Sequence, residues 1–186
     1  MLFRRRDLML ALPAALALAA ALPAHAATVD ANTVYLDTKD GRVTVELRPD
    51  LAPKHVAQVK KLIADKFYDG LVFHRVIDGF MAQTGDPTGT GMGGSKLPDL
   101  KAEFTKTPFK RGTLGMARAQ SPDSANSQFF ICLADSAFLN NQYTVFGEVT
   151  GGMDVVDKIK KGSESDNGKV DAPDKIVTMR MAQGAK

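Results

Sequence analysis

Past residue 32 the apolar residues come in short runs, many of them bounded by Gly, Pro, Asp or Asn. Runs of this length cannot build long helices, and their alternation fits strands with one face buried. Val34 and Leu36 alternate with Tyr35 and Asp37, and Val43, Val45 and Leu47 alternate with Arg42, Thr44 and Glu46. Lys39-Asp40-Gly41 lies between these runs, so 33–47 reads as a β-hairpin. Further strands are expected at 71–77, 80–83, 113–117, 129–133, 144–149 and 176–181. Helical spacing is confined to two places. Val56, Val59, Leu62 and Ile63 predict a helix within 51–67, with Pro53 near its start, and Val155, Val156 and Ile159 predict a short one over 153–159. Eight strands and two helices suggest a mainly β protein: an antiparallel barrel closed upon itself and capped by the helices.

Residues 1–26 stand apart. Arg4, Arg5 and Arg6 precede an almost unbroken Ala, Leu, Met and Pro stretch, and Ala24-His25-Ala26 supplies a small-x-small cleavage pattern. The apolar run is about 15 residues, short of the roughly 20 that span a bilayer. The segment therefore reads as a signal peptide cut between Ala26 and Ala27, leaving 27–186 as one periplasmic or secreted domain with no stable membrane anchor. An uncut anchor is the competing reading. Arg5-Arg6 followed by Asp7-Leu8-Met9 fits a twin-arginine signal, and an ordinary basic leader fits as well. The net charge of +3 is largely carried by this segment. Without its three Arg and one Asp, 21 basic and 20 acidic side chains remain, which gives no electrostatic footprint for nucleic acid.

Several familiar chemistries are poorly supported. Gly89 to Gly94 matches G-x-G-x-x-G, but Pro87 precedes it and Pro98 follows closely, so no helix opens there to hold a dinucleotide. Asp166-Asn167-Gly168 resembles a fragment of a calcium loop without its twelfth-position Glu, and 162–174 reads as a solvated turn. With one Cys there is no disulfide framework and no four-Cys zinc site, and no cofactor is implied. Cys132 lies in an apolar strand and reads as buried and inert. Nothing in the spacing couples it to His55 or His74, so a secreted hydrolase lacks its catalytic group. Arg75 is the odd residue. Strand alternation places it with Phe73 and Ile77, opposite His74 and Val76, so it either faces solvent or carries a function.

The string FHRVIDGFMAQTGD at 73–86 resembles the signature of the cyclophilin family of peptidyl-prolyl cis/trans isomerases. GTLGMARA at 112–119, SQFFICLA at 127–134 and TVFGEVTGGMDVVDKI at 144–159 are similar to further blocks of the same family, in the same order. The resemblance covers nearly all of 30–182 and implies the eight-stranded barrel reached above. It implies that Arg75 is the catalytic arginine, with Gln83 holding the carbonyl side of the substrate. It places Phe80, Met81, Phe130 and Leu139 on a proline pocket, Gln128 on the substrate backbone, and Ala117 and Arg118 on the strand edge that pairs with the peptide. Phe138 stands where many members have Trp and Tyr143 where many have His, as in bacterial exported members. Those two changes imply weakened affinity for cyclosporin. Arg118 stands for a usual Asn at a contact made by backbone. The implied partners are proline-containing peptides and unfolded exported proteins, and a monomer is expected. A proline-binding chaperone or scaffold with weak catalysis is the alternative, and the retained Arg75, Gln83 and Gln128 favour the enzyme.

Overall fold

The computed structural model describes residues 31–182, so the expected signal peptide and its cleavage site lie outside the described residues. One antiparallel sheet holds β1 (Thr33–Thr38), β2 (Gly41–Leu47), β3 (Arg75–Ile77), β4 (Met81–Thr84), β5 (Thr113–Met116), β6 (Phe129–Cys132), β7 (Val145–Gly151) and β8 (Thr178–Met181). The strand order is β3-β4-β6-β5-β7-β2-β1-β8. The expected hairpin is present, with Thr38 opposite Gly41 at its tip.

Helix α1 (Pro53–Ala64) carries Pro53 in its first turn and packs against β8. Ala52 offers no side-chain cap. Glu103 supplies one from a distant loop: its carboxylate accepts from the Lys54 and His55 backbone N–H groups, each at 3.1 Å, and lies 2.7 Å from His55 Nδ1. Helix α2 (Met153–Asp157) is shorter than the sequence spacing suggests, although Ile159 beyond it remains buried.

The closed barrel expected from sequence is corrected here: the sheet is an open half-barrel, because its end strands β3 and β8 do not pair. The chain at 168–176 lies along 70–76 and makes scattered backbone bonds to it, among them Phe73 N to the Asp174 carbonyl and Val170 N to the His74 carbonyl, without forming a continuous ladder. Asn167, Gly168 and Ala172 have left-handed backbones, with φ of 51°, 81° and 48°, and Pro173 has no N–H to give. Isolated bridges join Val72 to Lys175 and Arg75 to Lys169 instead. The expected strand at 71–77 is correspondingly cut to Arg75–Ile77. The expected shared face of Phe73, Arg75 and Ile77 fails for the same reason. Phe73 lies in the inner core, whereas Ile77 packs on the outer cluster. Nor is 162–174 a plain solvated turn, since Val170 is buried and the Gly168 carbonyl accepts from Val76 N at 2.8 Å.

The two faces of β4, β5 and β6 have different fates. Ala82, Leu114, Met116, Phe129 and Ile131 point into the large core with Leu36, Val45, Val59 and Phe146. Met81, Phe130 and Cys132 point the other way and join Phe109, Leu139 and Val145 in a second, smaller cluster. Period-two alternation thus fills one face and leaves the other to line a site.

Candidate active site

Arg75, Phe80, Met81, Gln83, Ala117, Arg118, Phe130, Leu139 and Tyr143 line one cavity of about 130 Å³ on the outer face. That is close to the roughly 150 Å³ of an engineered cavity that holds benzene. Its floor is aromatic. Phe130 stacks on Phe109, with centroids 5.8 Å apart, and meets the Tyr143 ring edge-on at 5.7 Å. The stack exists because residue 115 is Gly: a Cβ there would come within 2.3 Å of Phe130 Cζ and 2.6 Å of Phe109 Cε1. Tyr143 is held on its other side by Arg118, whose guanidinium lies 4.7 Å from the ring centroid. Arg118 also donates to the carbonyls of Ala119, Gln120 and Gln142, so its side chain has a structural role beyond the expected backbone contact.

Arg75 stands at the polar wall. Its Nε and Nη2 donate to the backbone and side-chain oxygens of Asn167, each at 2.9 Å, and Nη1 donates to Gln83 Oε1 at 3.3 Å. A guanidinium has five N–H donors, so two remain beyond these bonds. No carboxylate among the described residues forms an ion pair with it. Burial lowers its pKa from the ordinary value, with Tyr143 pulling the other way, and an arginine stays charged all the same. Gln83 Nε2 donates to Gln128 Oε1 at 2.9 Å, and Gln128 Nε2 donates to the carbonyls of Gly91 and Gly93.

Gln128 belongs to a neighbouring open cavity of about 610 Å³, which shares Gln83, Ala117 and Arg118 with the first. Its other lining includes the glycine loop at 91–94, Asp99 and Asn126. Phe138 lines neither cavity. It is 63% exposed and leans on Phe80 with centroids 5.2 Å apart, forming the rim. Sequence reasoning missed Phe109, Gly115 and Asn167. A lone Gly inside an apolar strand was the available signal for Gly115. Asn167 was visible only as part of a discarded calcium-like fragment.

The arrangement contains no activated nucleophile. Cys132 is fully buried and desolvation pushes its thiol pKa up to about 12. Burial holds His74 below the ordinary imidazole value, and His55 is tied to Glu103 away from the cavity. An apolar cup beside a charged hydrogen-bond donor, open on an adjoining groove, suits a protein that grips a small apolar group and polarises a neighbouring atom without attacking it covalently.

Comparison with known proteins narrows that class. Residues 33–181 match the family model described as cyclophilin type peptidyl-prolyl cis-trans isomerase/CLD. A probable peptidyl-prolyl cis-trans isomerase of Brucella suis is 58% identical over 188 residues, covering 95% of each chain. A peptidyl-prolyl cis-trans isomerase of Helicobacter pylori is 44% identical, covering 71% of this chain and 84% of that one. The crystal structure of a Cryptosporidium parvum cyclophilin with the dipeptide Ala-Pro is similar at a TM-score of 0.74 and 29% identity, over 82% of this chain and 99% of that one. The chain belongs to the cyclophilin family and is a peptidyl-prolyl cis-trans isomerase.

Proposed function

We propose that Arg75 drives the isomerisation and that the substrates are exported polypeptides still folding after their release from a signal peptide. The observation that carries the first part is the guanidinium pinned by Asn167 and Gln83 with two donors left beside an apolar cup. A peptide bond resists rotation by roughly 18–20 kcal/mol because nitrogen shares its lone pair with the carbonyl. The two isomers of an X-Pro bond differ by only about 0.5–1 kcal/mol, so the catalyst must favour the twisted amide over both planar forms. Rotation localises the lone pair on the proline nitrogen, and Arg75 donates a hydrogen bond to it. Phe80, Met81, Phe130, Leu139 and Tyr143 hold the proline ring and keep water away, which strengthens that bond. Gln83, Gln128 and the edge at Ala117 and Arg118 hold the flanking backbone, and Phe138 covers the rim.

Arg75→Lys is the test of this role. It keeps a charge but loses the planar fork that satisfies Asn167 and Gln83 together. Catalysed exchange of a prolyl peptide should fall at least tenfold in kcat, about 1.4 kcal/mol, in a protein that unfolds at an unchanged temperature. Full turnover would show that the planar fork of Arg75 does not drive the reaction. Export rests on the leader-like residues 1–26, and intact mass of the protein made in its own cell should show Ala27 as the first residue. A species that retains residues 1–26 would support an uncut anchor.

A further inference from the structure

The glycine stretch at 89–94 binds no dinucleotide in the reading above, yet the fold invests several hydrogen bonds in it. It wraps the carboxylate of Asp86, which is 1% exposed. Asp86 Oδ1 accepts from Thr88 N and Thr88 Oγ1, each at 2.8 Å, and Oδ2 accepts from Thr90 N at 3.1 Å and Gly91 N at 2.6 Å. The wrap needs glycine at two points. Gly91 has φ +86°, and a Cβ on Gly93 would come within 2.2 Å of Asp86 Oδ1.

The loop that results presents the carbonyls of Gly91 and Gly93 to Gln128 Nε2, at 3.0 and 2.8 Å. A carbonyl can only accept a hydrogen bond. Two carbonyls on the same side therefore force Gln128 to turn its NH₂ toward the loop and its Oε1 toward Gln83. Gln83 must then offer Nε2 to Gln128, at 2.9 Å, which leaves its Oε1 facing Arg75 Nη1 at 3.3 Å. With either amide reversed, an NH₂ group would face the guanidinium or the loop would lose its donor. Donor and acceptor direction is passed along the row from the loop to the cation.

We propose that Asp86 is a positioning residue for the isomerase reaction: by shaping the 88–93 loop it sets the orientation of Gln128 and Gln83, and through them that of Arg75. This rests on the catalytic reading of Arg75 given above. The bonds of Asp86 run to Thr88, Thr90 and Gly91 rather than to Gln83 or Arg75, and it lines neither the proline cavity nor its neighbour. Its contribution is directional, so a substitution that keeps its size but not its acceptor character should disturb the row.

Asp86→Asn makes that change. An amide offers one oxygen and an NH₂ group where the carboxylate accepts on both sides. The kcat for a prolyl peptide should fall about tenfold or more, as misplacement of a catalytic group does, while KM rises by a smaller factor, because Gln83 and Gln128 also hold the peptide backbone but the apolar cup is untouched. The side-chain amide cross-peaks of Gln83 and Gln128 should move in the nitrogen–proton NMR spectrum. In an Arg75→Ala background, followed by exchange NMR at high protein concentration, Asp86→Asn should lower the residual rate no further. Thr88→Val, which removes the hydroxyl bonds to Asp86 and Thr90 but leaves the backbone bonds to the carboxylate, should act in the same direction more weakly and covers the case in which Asp86→Asn does not fold. Unchanged kcat and unmoved cross-peaks in a folded variant would overturn the proposal. So would the same fractional loss with and without Arg75, which is what a purely structural role gives. Full turnover in Arg75→Ala alone would instead overturn the catalytic reading on which the proposal stands.

Discussion

Phe129 and Phe130 are neighbours in one strand, and both are almost fully buried, at 0% and 5% exposed. Phe129 points inward, edge-on to Tyr68 and Phe146, and is closed in on every side by the main core. Phe130 points outward, stacked on Phe109 and edge-on to Tyr143, and one side of its ring borders the empty cup. Burial alone does not separate the two. What separates them is that the fold completes the packing around one ring and leaves the packing around the other for a substrate to complete.

The contrast is broken most directly by truncation. Phe129→Ala should cost about 3–5 kcal/mol in urea unfolding, as aromatic truncations in closed cores do. Phe130→Ala should cost less stability, because part of its ring faces open space, and should instead raise KM for a prolyl peptide several-fold. Equal losses of stability with unchanged KM in Phe130→Ala would erase the distinction. A second variant sharpens it by filling space on the outer face. Gly115→Ala drives a methyl into the Phe109–Phe130 stack, where overpacking typically costs about 1–3 kcal/mol. The displaced Phe130 ring narrows the cup, so NMR titration should show weakened peptide binding, and undiminished binding would mean that the stack does not set the cup.

A smaller effect concerns the polar half of the outer face and appears only in acid. Burial alone would raise the Asp86 pKa, but bonds from Thr88, Gly93 and Gly91 outweigh it and hold the carboxyl down to about 2, against an ordinary 3.8. A group whose pKa is depressed on folding stabilises the fold above its unfolded value and loses that contribution as pH falls through its folded value. The native protein should therefore lose about 2 kcal/mol more than Asp86→Asn between pH 4 and pH 2. Parallel stability curves for the two proteins would show that the carboxylate is not held this way.

The inner face was legible in the sequence because its signals are local. Val34 to Leu47 alternates cleanly around Asp40-Gly41, and the first helix shows its spacing and its Pro53. The parity of Phe73 and Arg75 was not legible. It depends on where β3 begins, which is decided by the irregular chain at 168–177 almost a hundred residues later. The open seam of the sheet has the same origin. On the outer face Arg75, Gln83 and the aromatic wall were found through a family resemblance rather than from alternation, which left Arg75 undecided. Asn167, which grips Arg75 from 92 positions away, acts through a contact that no local pattern announces, and Gly115, which makes room for Phe130, shows locally only as a lone glycine in an apolar strand.

Arg75→Ala tests in a single protein whether the outer face catalyses through one preorganised donor, as proposed. Turnover of a prolyl peptide should fall about 10²–10³-fold, the loss of roughly 2.7–4 kcal/mol typical of a donor that acts in the transition state. Thermal unfolding and peptide binding should stay close to those of the parent, because the inner core and the apolar cup are untouched. Near-parental turnover in a well-folded Arg75→Ala protein would contradict the account.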